Sequence, residues 1–146
     1  MHETPRIEDL GADLEEALEI RHRVFVLEQG VPVEEERDEL DAVALHLLAR
    51  VDGTPAGTAR MVLDPRQHTG KIGRVAVLPA FRSRGVGREL MEALALRALD
   101  RGLVELYLDA QVPVIPFYER LGYRAEGPEF LDAGILHRRM RRRLEP

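Results

Sequence analysis

The sequence predicts an α/β (α+β) fold in which helices cover both faces of a mixed β-sheet. Three observations support this fold class. Two apolar segments flank an Asp-Gly-Thr-Pro turn at residues 52–55, which is typical of a β-hairpin. Residues 71–108 contain a strand, a long amphipathic helix and another strand, an order that implies one parallel pair with a right-handed connection. Two more strands follow a short helix near the end of the chain.

The N-terminal half supplies one helix and three strands. An apolar stripe through residues 12–25 predicts the first helix, which ends before the Gly-Val-Pro segment at 30–32. The hairpin strands are predicted at residues 44–51 and 56–63, and a third strand at 71–78. The helix and the strands alternate between polar and apolar faces, so each is expected to pack one side against a shared core.

The C-terminal half supplies two helices and three strands. Residues 85–101 have the periodicity of a long amphipathic helix, and residues 104–108 form an apolar strand. A proline opens the short helix predicted at 113–121. The last strands are predicted at residues 123–126 and 136–144, which completes a mixed sheet.

Length and composition narrow the class of protein. A chain of 146 residues, 45% of them hydrophobic, has the common size of one globular domain, so we expect one domain over residues 1–146. No segment approaches the ~20 apolar residues that span a bilayer, and residues 1–6 lack the pattern of a signal peptide. The absence of cysteine excludes disulfides, cysteine nucleophiles and cysteine metal sites. We expect a cytoplasmic protein, monomeric or homodimeric, without a membrane partner.

Two charged segments have both a structural and a functional interpretation. The net charge of −5 disfavours a nucleic-acid partner. The arginine-rich residues 138–143 alternate with apolar ones, as in a strand with one solvated face. The acidic residues between 34 and 41 form either a solvated loop or a mouth that attracts a cationic amine.

Arg21 is unusual because it falls on the apolar stripe of the first helix. An unpaired buried charge is costly, so we expect a partner for its guanidinium group. One interpretation is a structural ion pair with an acidic residue, and the other is a substrate carboxylate. The acidic candidates are Glu28, Asp38 and Asp41.

Residues 82–88 predict a pyrophosphate-binding loop. A strand ends, a turn follows, and a helix begins with Gly85 and Gly87 near its first turn. The first amides of a helix lack internal partners and lie at the positive end of its dipole, and glycine lets a phosphate approach the backbone closely. Three arginines add positive charge: Arg82, Arg84 and Arg88. The spacing matches neither a Walker loop nor a dinucleotide-binding loop.

This loop resembles the acetyl-CoA motif of the GCN5-related N-acetyltransferase (GNAT) superfamily. Arg82-x-x-Gly85-x-Gly87 follows a Val-Ala-Val-x-Pro strand, and residues 116–123 are similar to the late motif in which a tyrosine lies near the CoA sulfur. Four more segments are similar to the ElaA-like branch of that superfamily, so the resemblance covers nearly the whole chain. They are Arg21-x-x-Val24-Phe25-Val26-x-Glu28-Gln29, Ile72-Gly73-Arg74-Val75, Tyr107-Leu108-x-Ala110-Gln111 and Gly134-Ile135-x-His137-x-x-Met140.

The resemblance implies a fold, a reaction and a co-substrate. The sheet is expected to be mostly antiparallel, with a parallel pair that splays apart. The enzyme is expected to move an acetyl or other short acyl group from acyl-CoA to a primary amine of a small molecule or peptide, by direct attack in a ternary complex and without a metal. Backbone amides of the splayed strand would face the pantetheine and the thioester oxygen. Many members have asparagine on the strand-five side of the cleft, and Gln111 is the nearest amide in this sequence. The expected cofactor-binding residues are Val75, Ala76, Val77, Arg82, Ser83, Arg84, Gly85, Val86, Gly87, Arg88 and Gln111.

Tyr118 is the candidate general acid. A tyrosine with a pKa of about 10 can hydrogen-bond or protonate a departing thiolate with a pKa of about 8.5. The general base remains open among Glu28, His46 and His137, a water-mediated base, and an amine that arrives neutral. We therefore expect Tyr118, Glu28 and His137 as catalytic residues. Arg21, Glu28 and His46 are the candidate substrate-binding residues.

Two alternative functions also fit the sequence. One is a CoA-binding regulatory protein that has lost turnover, against which the presence of Tyr118 argues weakly. The other is an enzyme similar to acyl-homoserine-lactone synthases, which also carry an Arg-x-x-Val-Phe-like element near the N-terminus. The chain is short for such a synthase, and the intact loop at residues 82–88 favours an ordinary acetyltransferase.

Overall fold

A computed structural model describes residues 4–145 of the protein. Residues 1–3 and 146, to which the single-domain and signal-peptide predictions also extend, lie outside the described residues. The described chain forms one seven-stranded sheet with the order β1-β2-β3-β4-β5-β7-β6. All neighbouring strands are antiparallel except β4 and β5, which are parallel. The strands are β1 Arg6–Leu10, β2 Leu45–Val51, β3 Thr54–Asp64, β4 Thr69–Val77, β5 Glu105–Gln111, β6 Arg124–Asp132 and β7 Ile135–Arg143.

Helices cover both faces of this sheet, as the sequence predicts. One face carries the long helix α3, whose buried residues belong to the main apolar core. The other face carries α1, which contributes Ile20 to a second core with Leu48 and Ala76 of the sheet. None of the helices within residues 4–145 is long and apolar enough to cross a membrane. The helices are α1 Glu15–Arg21, a π-helical segment His22–Glu28, α2 Val33–Glu36, a 3-10 turn Glu39–Ala42, α3 Val86–Asp100 and α4 Ile115–Arg120.

The N-terminal region differs from the prediction in two places. The edge strand β1 was not predicted, because its five residues include three charged ones and only its pairing with β2 makes it a strand. The first helix starts at Glu15 rather than at residue 12 and continues to Glu28 as a π-helix. The Gln29 N–H donates to the Val24 carbonyl oxygen (3.1 Å), five residues earlier in the chain, which is the hydrogen-bond spacing of a π-helix.

Gly57 lets the start of α3 approach the sheet. A side chain at this position of β3 would place its Cβ 2.9 Å from Val86 Cγ1 and 3.0 Å from the Ala76 carbonyl oxygen. Those distances are too short for any residue larger than glycine. The first turn of α3 is therefore held close to the ends of β3 and β4.

The parallel pair separates halfway along β4. Its pairing with β5 runs from Thr69 opposite Glu105 to Ile72 opposite Leu108 and then stops. On the other side of β4, the register with β3 shifts, so that two residues, Arg74 and Val75, oppose the single residue Ala59. This β-bulge bends β4 away from β5. The predicted mixed, mostly antiparallel sheet with one splayed parallel pair is thus confirmed.

Candidate active site

The separation of β4 and β5 opens a cleft of about 770 Å³. Open α/β sheets bind ligands at the carboxyl ends of their parallel strands, which is where this cleft lies. Most of the sequence-predicted site residues line it. They are Glu28, Val75, Val77, Arg82, Ser83, Gly85, Val86, Gly87, Arg88, Gln111, Tyr118 and His137.

The start of α3 has the geometry expected of an anion site. Gly85 precedes the helix with φ 82°, and no side chain within residues 4–145 caps the first turn. Ser83 also has a positive φ, 63°, so the loop turns twice in the left-handed region. The first amides of the 15-residue helix therefore keep their hydrogen-bonding capacity at the positive end of its dipole.

Gly87, in the first turn of α3, leaves space between this helix and Phe117 of α4. A Cβ at this position would lie 3.3 Å from the Phe117 Cζ atom of α4. A larger residue would therefore push against Phe117 and fill the space in front of the helix amides. This close approach joins the loop to the helix that carries Tyr118.

Arg82 is bound to both sides of the cleft. Its Nε donates to the Val77 carbonyl oxygen (2.9 Å), and its two Nη atoms donate to the carboxylate of Glu28 at 2.7 and 2.6 Å. The hydrogen bonds from Arg82 lower the pKa of Glu28. The Glu28 carboxylate is therefore ionised and neutralised by a cation, and such a group accepts a proton poorly near neutral pH.

The other two loop arginines are directed differently. Arg88 points outward and pairs with Glu92, one turn along α3 (3.1 Å). Arg84 does not line the cleft, and its guanidinium lies 5.5 Å from the centre of the Phe81 ring. Of the three predicted cations, Arg82 is thus the one that links two walls of the cleft.

Tyr118 lies on α4 and is only 8% exposed. Its ring packs edge-on against Phe117, with centroids 5.0 Å apart, and against Tyr123 at 6.0 Å. Burial raises the pKa of Tyr118 to about 12. The hydroxyl is therefore a proton donor over the whole neutral range. The thiol of CoA, with an ordinary pKa of about 8.5, is the stronger acid, which favours a hydrogen bond over complete proton transfer.

His137 lies opposite Gln111 in the register of β5 and β7 and also lines the cleft. Its Nδ1 atom is 2.7 Å from the Ile135 carbonyl oxygen, and its ring stacks on Phe130 with centroids 6.0 Å apart. A carbonyl oxygen only accepts, so Nδ1 carries the proton when the ring is neutral. The lone pair is then on Nε2, the atom that could receive a proton.

Gln111 is held by a second glutamine. Its Nε2 donates to the Gln29 Oε1 atom (2.9 Å) across the cleft. Since Glu28 reaches Arg82 while Gln29 reaches Gln111, the end of the π-helical segment contacts both sides of the opening. Gln29 was not singled out from the sequence as a site residue, because its partner is 82 residues away.

Three other predicted residues lie away from the cleft surface. Arg21 is 1% exposed, and its guanidinium binds Glu36 (2.6 Å) and Asp41 (2.7 Å). His46 is 3% exposed, and its Nε2 is 2.9 Å from the Asp41 carbonyl oxygen. Neither side chain lines the cleft, so the geometry favours structural roles over the predicted substrate contact. The side chain of Ala76 is likewise buried, in the core on the α1 face.

The partner of Arg21 was predicted in part. Asp41 is one of the three expected acids, whereas Glu36, which takes the shortest bond, was not considered. The other two candidates pair elsewhere: Glu28 with Arg82 and Asp38 with Arg60. Asp38 and Asp41 are thus neutralised inside the protein, which argues against their forming an acidic mouth for the substrate.

The bulge in β4 is the main feature that sequence reasoning missed. Ile72 packs into the core on the α3 face, and so do Val75 and Val77, whereas Ala76 packs on the opposite face. The step from 72 to 75 breaks the alternation of a regular strand, because one extra residue in a bulge reverses which face the following side chains occupy. That irregular spacing was visible in the sequence and could have located the bulge.

The fold and the cleft define a class of protein: a mixed-sheet domain whose only parallel pair, within residues 4–145, splays beside an uncapped, glycine-containing helix start. That combination agrees with the comparisons with known proteins. The chain belongs to the Acetyltransferase (GNAT) family, whose model matches residues 12–123.

Individual relatives share most of this chain. The Uncharacterized N-acetyltransferase YjcF of Bacillus subtilis is 42% identical over 128 residues, 87% of this chain and 90% of YjcF. The structure of an acyl-CoA N-acyltransferase from Pseudomonas aeruginosa is 35% identical with a TM-score of 0.83, and it covers 95% of this chain and 99% of that one. The structure of Escherichia coli ElaA is 26% identical with a TM-score of 0.84, at the same coverage of 95% and 99%.

Proposed function

We propose that this protein is an acyl-CoA-dependent N-acyltransferase of the ElaA-like branch. It would move an acetyl or other short acyl group to a primary amine of a small molecule or peptide, by direct attack in a ternary complex. The observation that carries the proposal is the splayed β4–β5 pair beside the uncapped start of α3. The similarity to ElaA along nearly the whole chain supports the branch.

The acyl-CoA would bind along the open edge of β4. The amides of Gly85 to Arg88 would receive the pyrophosphate, and the pantetheine would lie between the separated strands, where it replaces the missing strand-to-strand hydrogen bonds of residues 73–77. A backbone N–H of this stretch would donate to the thioester oxygen, and such a fixed donor stabilises the negative charge that develops there.

The remaining groups suit the other steps of acyl transfer. The amine nitrogen forms a bond to the thioester carbon, the carbon–sulfur bond breaks, and the amine loses one proton. In our proposal Nε2 of His137 accepts that proton and the Tyr118 hydroxyl stabilises the departing thiolate. Glu28, a poor base because of its pairing with Arg82, would instead orient the Arg82 guanidinium at the mouth of the cleft.

The first experiment measures binding and turnover separately. Acetyl-CoA should bind in calorimetry, and release of free thiol should require an added amine from a panel of polyamines, aralkylamines, aminosugars and lysine-containing peptides. Binding without thiol release on any amine would favour the regulatory alternative. Thiol release that requires S-adenosylmethionine would favour the acyl-homoserine-lactone-synthase-like alternative. No binding of any acyl-CoA would refute the proposal.

The role of Tyr118 is tested by Tyr118→Phe, which removes only the hydroxyl. Loss of a general acid typically lowers the rate about a hundredfold to ten-thousandfold, and acetyl-CoA affinity should barely change. The matched control is Tyr123→Phe, because Tyr123 is 2% exposed and does not line the cleft. Full activity of Tyr118→Phe would reduce Tyr118 to a packing residue. Since the pKa of Tyr118 is raised to about 12, the ratio of wild-type to mutant rates should stay constant from neutral pH to about pH 10.

A further inference from the structure

Arg74 lies where β4 bends away from β5, and its backbone is in a conformation that arginine rarely adopts. Its φ is 51°, in the left-handed region where a Cβ atom meets the neighbouring backbone. Glycine is the usual occupant of such a first bulge position. The glycine immediately before it, Gly73, is not the residue with positive φ. The bend is therefore made by a residue that carries a long, charged side chain.

The guanidinium of Arg74 holds the segment that follows α2. Nε donates to the Glu36 carbonyl oxygen (3.0 Å), and Nη2 donates to the Glu35 carbonyl oxygen (3.3 Å) and to Asp38 Oδ2 (3.2 Å). We call residues 35–38 the acidic wall. The strained backbone and the side chain thus support each other, since strain persists only where surrounding contacts over-determine it.

The acidic wall is itself anchored from below. The buried Glu36 carboxylate accepts three hydrogen bonds from Arg21, and the Asp38 carboxylate accepts two from Arg60 of β3. Glu35 and Glu36 line the cleft together with residues 73–75 of β4. Arg74 therefore ties the strand that would hold the thioester to the wall that faces it across the cleft.

We propose that Arg74 is a positioning residue for acyl transfer: its left-handed backbone turns alternate amides of residues 75–77 into the cleft, and its guanidinium fixes the acidic wall, to which we assign the acceptor amine. The inference rests on the proposed function. Glycine at this position would keep the bend in β4 but would lose the hydrogen bonds to the acidic wall, which we call the tie. Alanine would lose the contacts of the guanidinium and would adopt the left-handed conformation only at a cost in free energy.

Two substitutions separate the backbone role from the side-chain role. Arg74→Gly should bind acetyl-CoA within about threefold of the wild type, because glycine adopts the left-handed conformation freely. Arg74→Ala should bind it about tenfold more weakly, because alanine is disfavoured in that conformation and lacks the guanidinium support. Arg74→Lys keeps the charge without the fork of donors and should recover part of that affinity.

The tie to the acidic wall is measured by hydrogen exchange. In the wild type the Glu36 N–H donates to the Pro32 carbonyl oxygen (3.2 Å), which makes its exchange a reporter of the wall. Arg74→Gly should accelerate exchange across residues 35–38 by about tenfold or more through local opening. Arg37→Ala is the matched control, since Arg37 is exposed on the same segment and its extended backbone accommodates alanine. With an amine identified by the panel, Arg74→Gly should raise the KM for the amine about tenfold while that for acetyl-CoA stays near wild type.

Several outcomes would overturn the inference. One is an Arg74→Ala protein that binds acetyl-CoA as tightly as Arg74→Gly, even if it is less stable, because the bulge would then not depend on this residue. Another is exchange of the acidic wall in Arg74→Gly that is no faster than in Arg37→Ala. If Arg74→Ala does not fold, the acetyl-CoA affinities of Arg74→Gly and Arg74→Lys are compared instead. Equal affinities of these two variants would then overturn the inference. Failure of the wild type to bind acetyl-CoA would instead refute the proposed function, while the exchange experiment would still test the tie.

Discussion

Two groups of arginines in this molecule carry the same charge in different surroundings. Arg82 and Arg88 lie at the mouth of the cleft, where their side chains are 41% and 67% exposed. Arg21 and Arg60 lie inside the protein, where their side chains are 1% and 7% exposed. The inner group is matched by carboxylates that are themselves largely buried, so its charges are neutralised and fix the chain. The outer group is near water, and in the proposed function it would exchange a carboxylate partner for a phosphate.

Burial, rather than residue type, determines whether an arginine of this protein has a structural role or remains available to a ligand. A buried ion pair gains from low screening, but the loss of one partner leaves an uncompensated charge. An exposed pair contributes little to stability and can be rearranged at small cost. The inner arginines should therefore affect folding, and the outer ones should affect ligand binding.

The largest effect is expected for the inner group. Glu36→Ala leaves Arg21 without its main partner, and breaking a buried pair in this way typically costs about 3–5 kcal/mol of unfolding free energy. Denaturation in urea at neutral pH measures that change. Glu35→Ala is the matched control because it removes an exposed carboxylate one residue away and leaves the backbone carbonyl that Arg74 uses. Equal stabilities of the two variants would contradict the contrast between the groups.

The next effect concerns the helix start between the outer arginines. Gly87→Glu places a negative charge and a side chain in front of the α3 amides, and we expect acetyl-CoA affinity to fall at least about a hundredfold, equivalent to about 2.7 kcal/mol. The thermal shift that acetyl-CoA produces should disappear with it. Gly87→Ala controls for the contact with Phe117 and should lose much less affinity. An unchanged affinity in Gly87→Glu would mean that the pyrophosphate binds elsewhere.

Acid should weaken the inner group selectively. Burial by itself would raise the pKa of Asp41, but hydrogen bonds from Arg21 and Arg60 outweigh it and hold the pKa far below its ordinary value. A carboxyl whose pKa is lowered by folding adds stability above the pKa of the unfolded chain, and that stability is lost as the pH falls. The melting temperature should therefore decline from about pH 5 downward.

A variant without the Asp41 carboxylate makes that test specific. Asp41→Asn should be less stable at neutral pH and should show a shallower decline in acid than the wild type. Parallel declines would mean that other carboxylates govern acid unfolding.

The smallest effect is expected for the outer pair. Glu28→Gln removes the charged partner of Arg82, and exposed pairs of this kind are worth about 0.2–1 kcal/mol, so stability should barely change. Acetyl-CoA affinity should rise slightly, because Arg82 no longer has a competing carboxylate. Calorimetry at two salt concentrations would show this gain most clearly at low salt. A loss of stability as large as that of Glu36→Ala would erase the distinction between the two groups.

The fold was predictable where local patterns are strong. The hairpin of β2 and β3, the crossover through α3 and the parallel pair all follow from apolar periodicity and turn residues. The edge strand β1 was not, since its sequence is largely charged and the neighbouring strand supplies its order. The π-helical geometry of residues 22–28 was also missed, because it differs from an α-helix only in its hydrogen-bond spacing.

The sequence predicted which residues line the candidate site, but not which of them bind one another. The loop at residues 82–88, Gln111, Tyr118 and His137 were expected, and all of them except Arg84 reach the cleft. Arg21 and His46 were expected to contact substrate, and both lie in the interior with protein partners. Their residue types and spacing are typical of functional residues. Their burial depends on the segment of residues 36–41, which packs against both side chains.

The order of elements, the parallel pair and the glycine-containing start of α3 can be predicted from the sequence, because each depends on residues close together in the chain. Which charges meet depends instead on the packing of distant segments. Arg82 finds Glu28 54 residues away, Gln111 finds Gln29 82 residues away, and Arg74 reaches the acidic wall 36 residues away. Such pairings depend on how the sheet bends and which helix covers it, and the one-residue bulge in β4 sets the direction of Arg74.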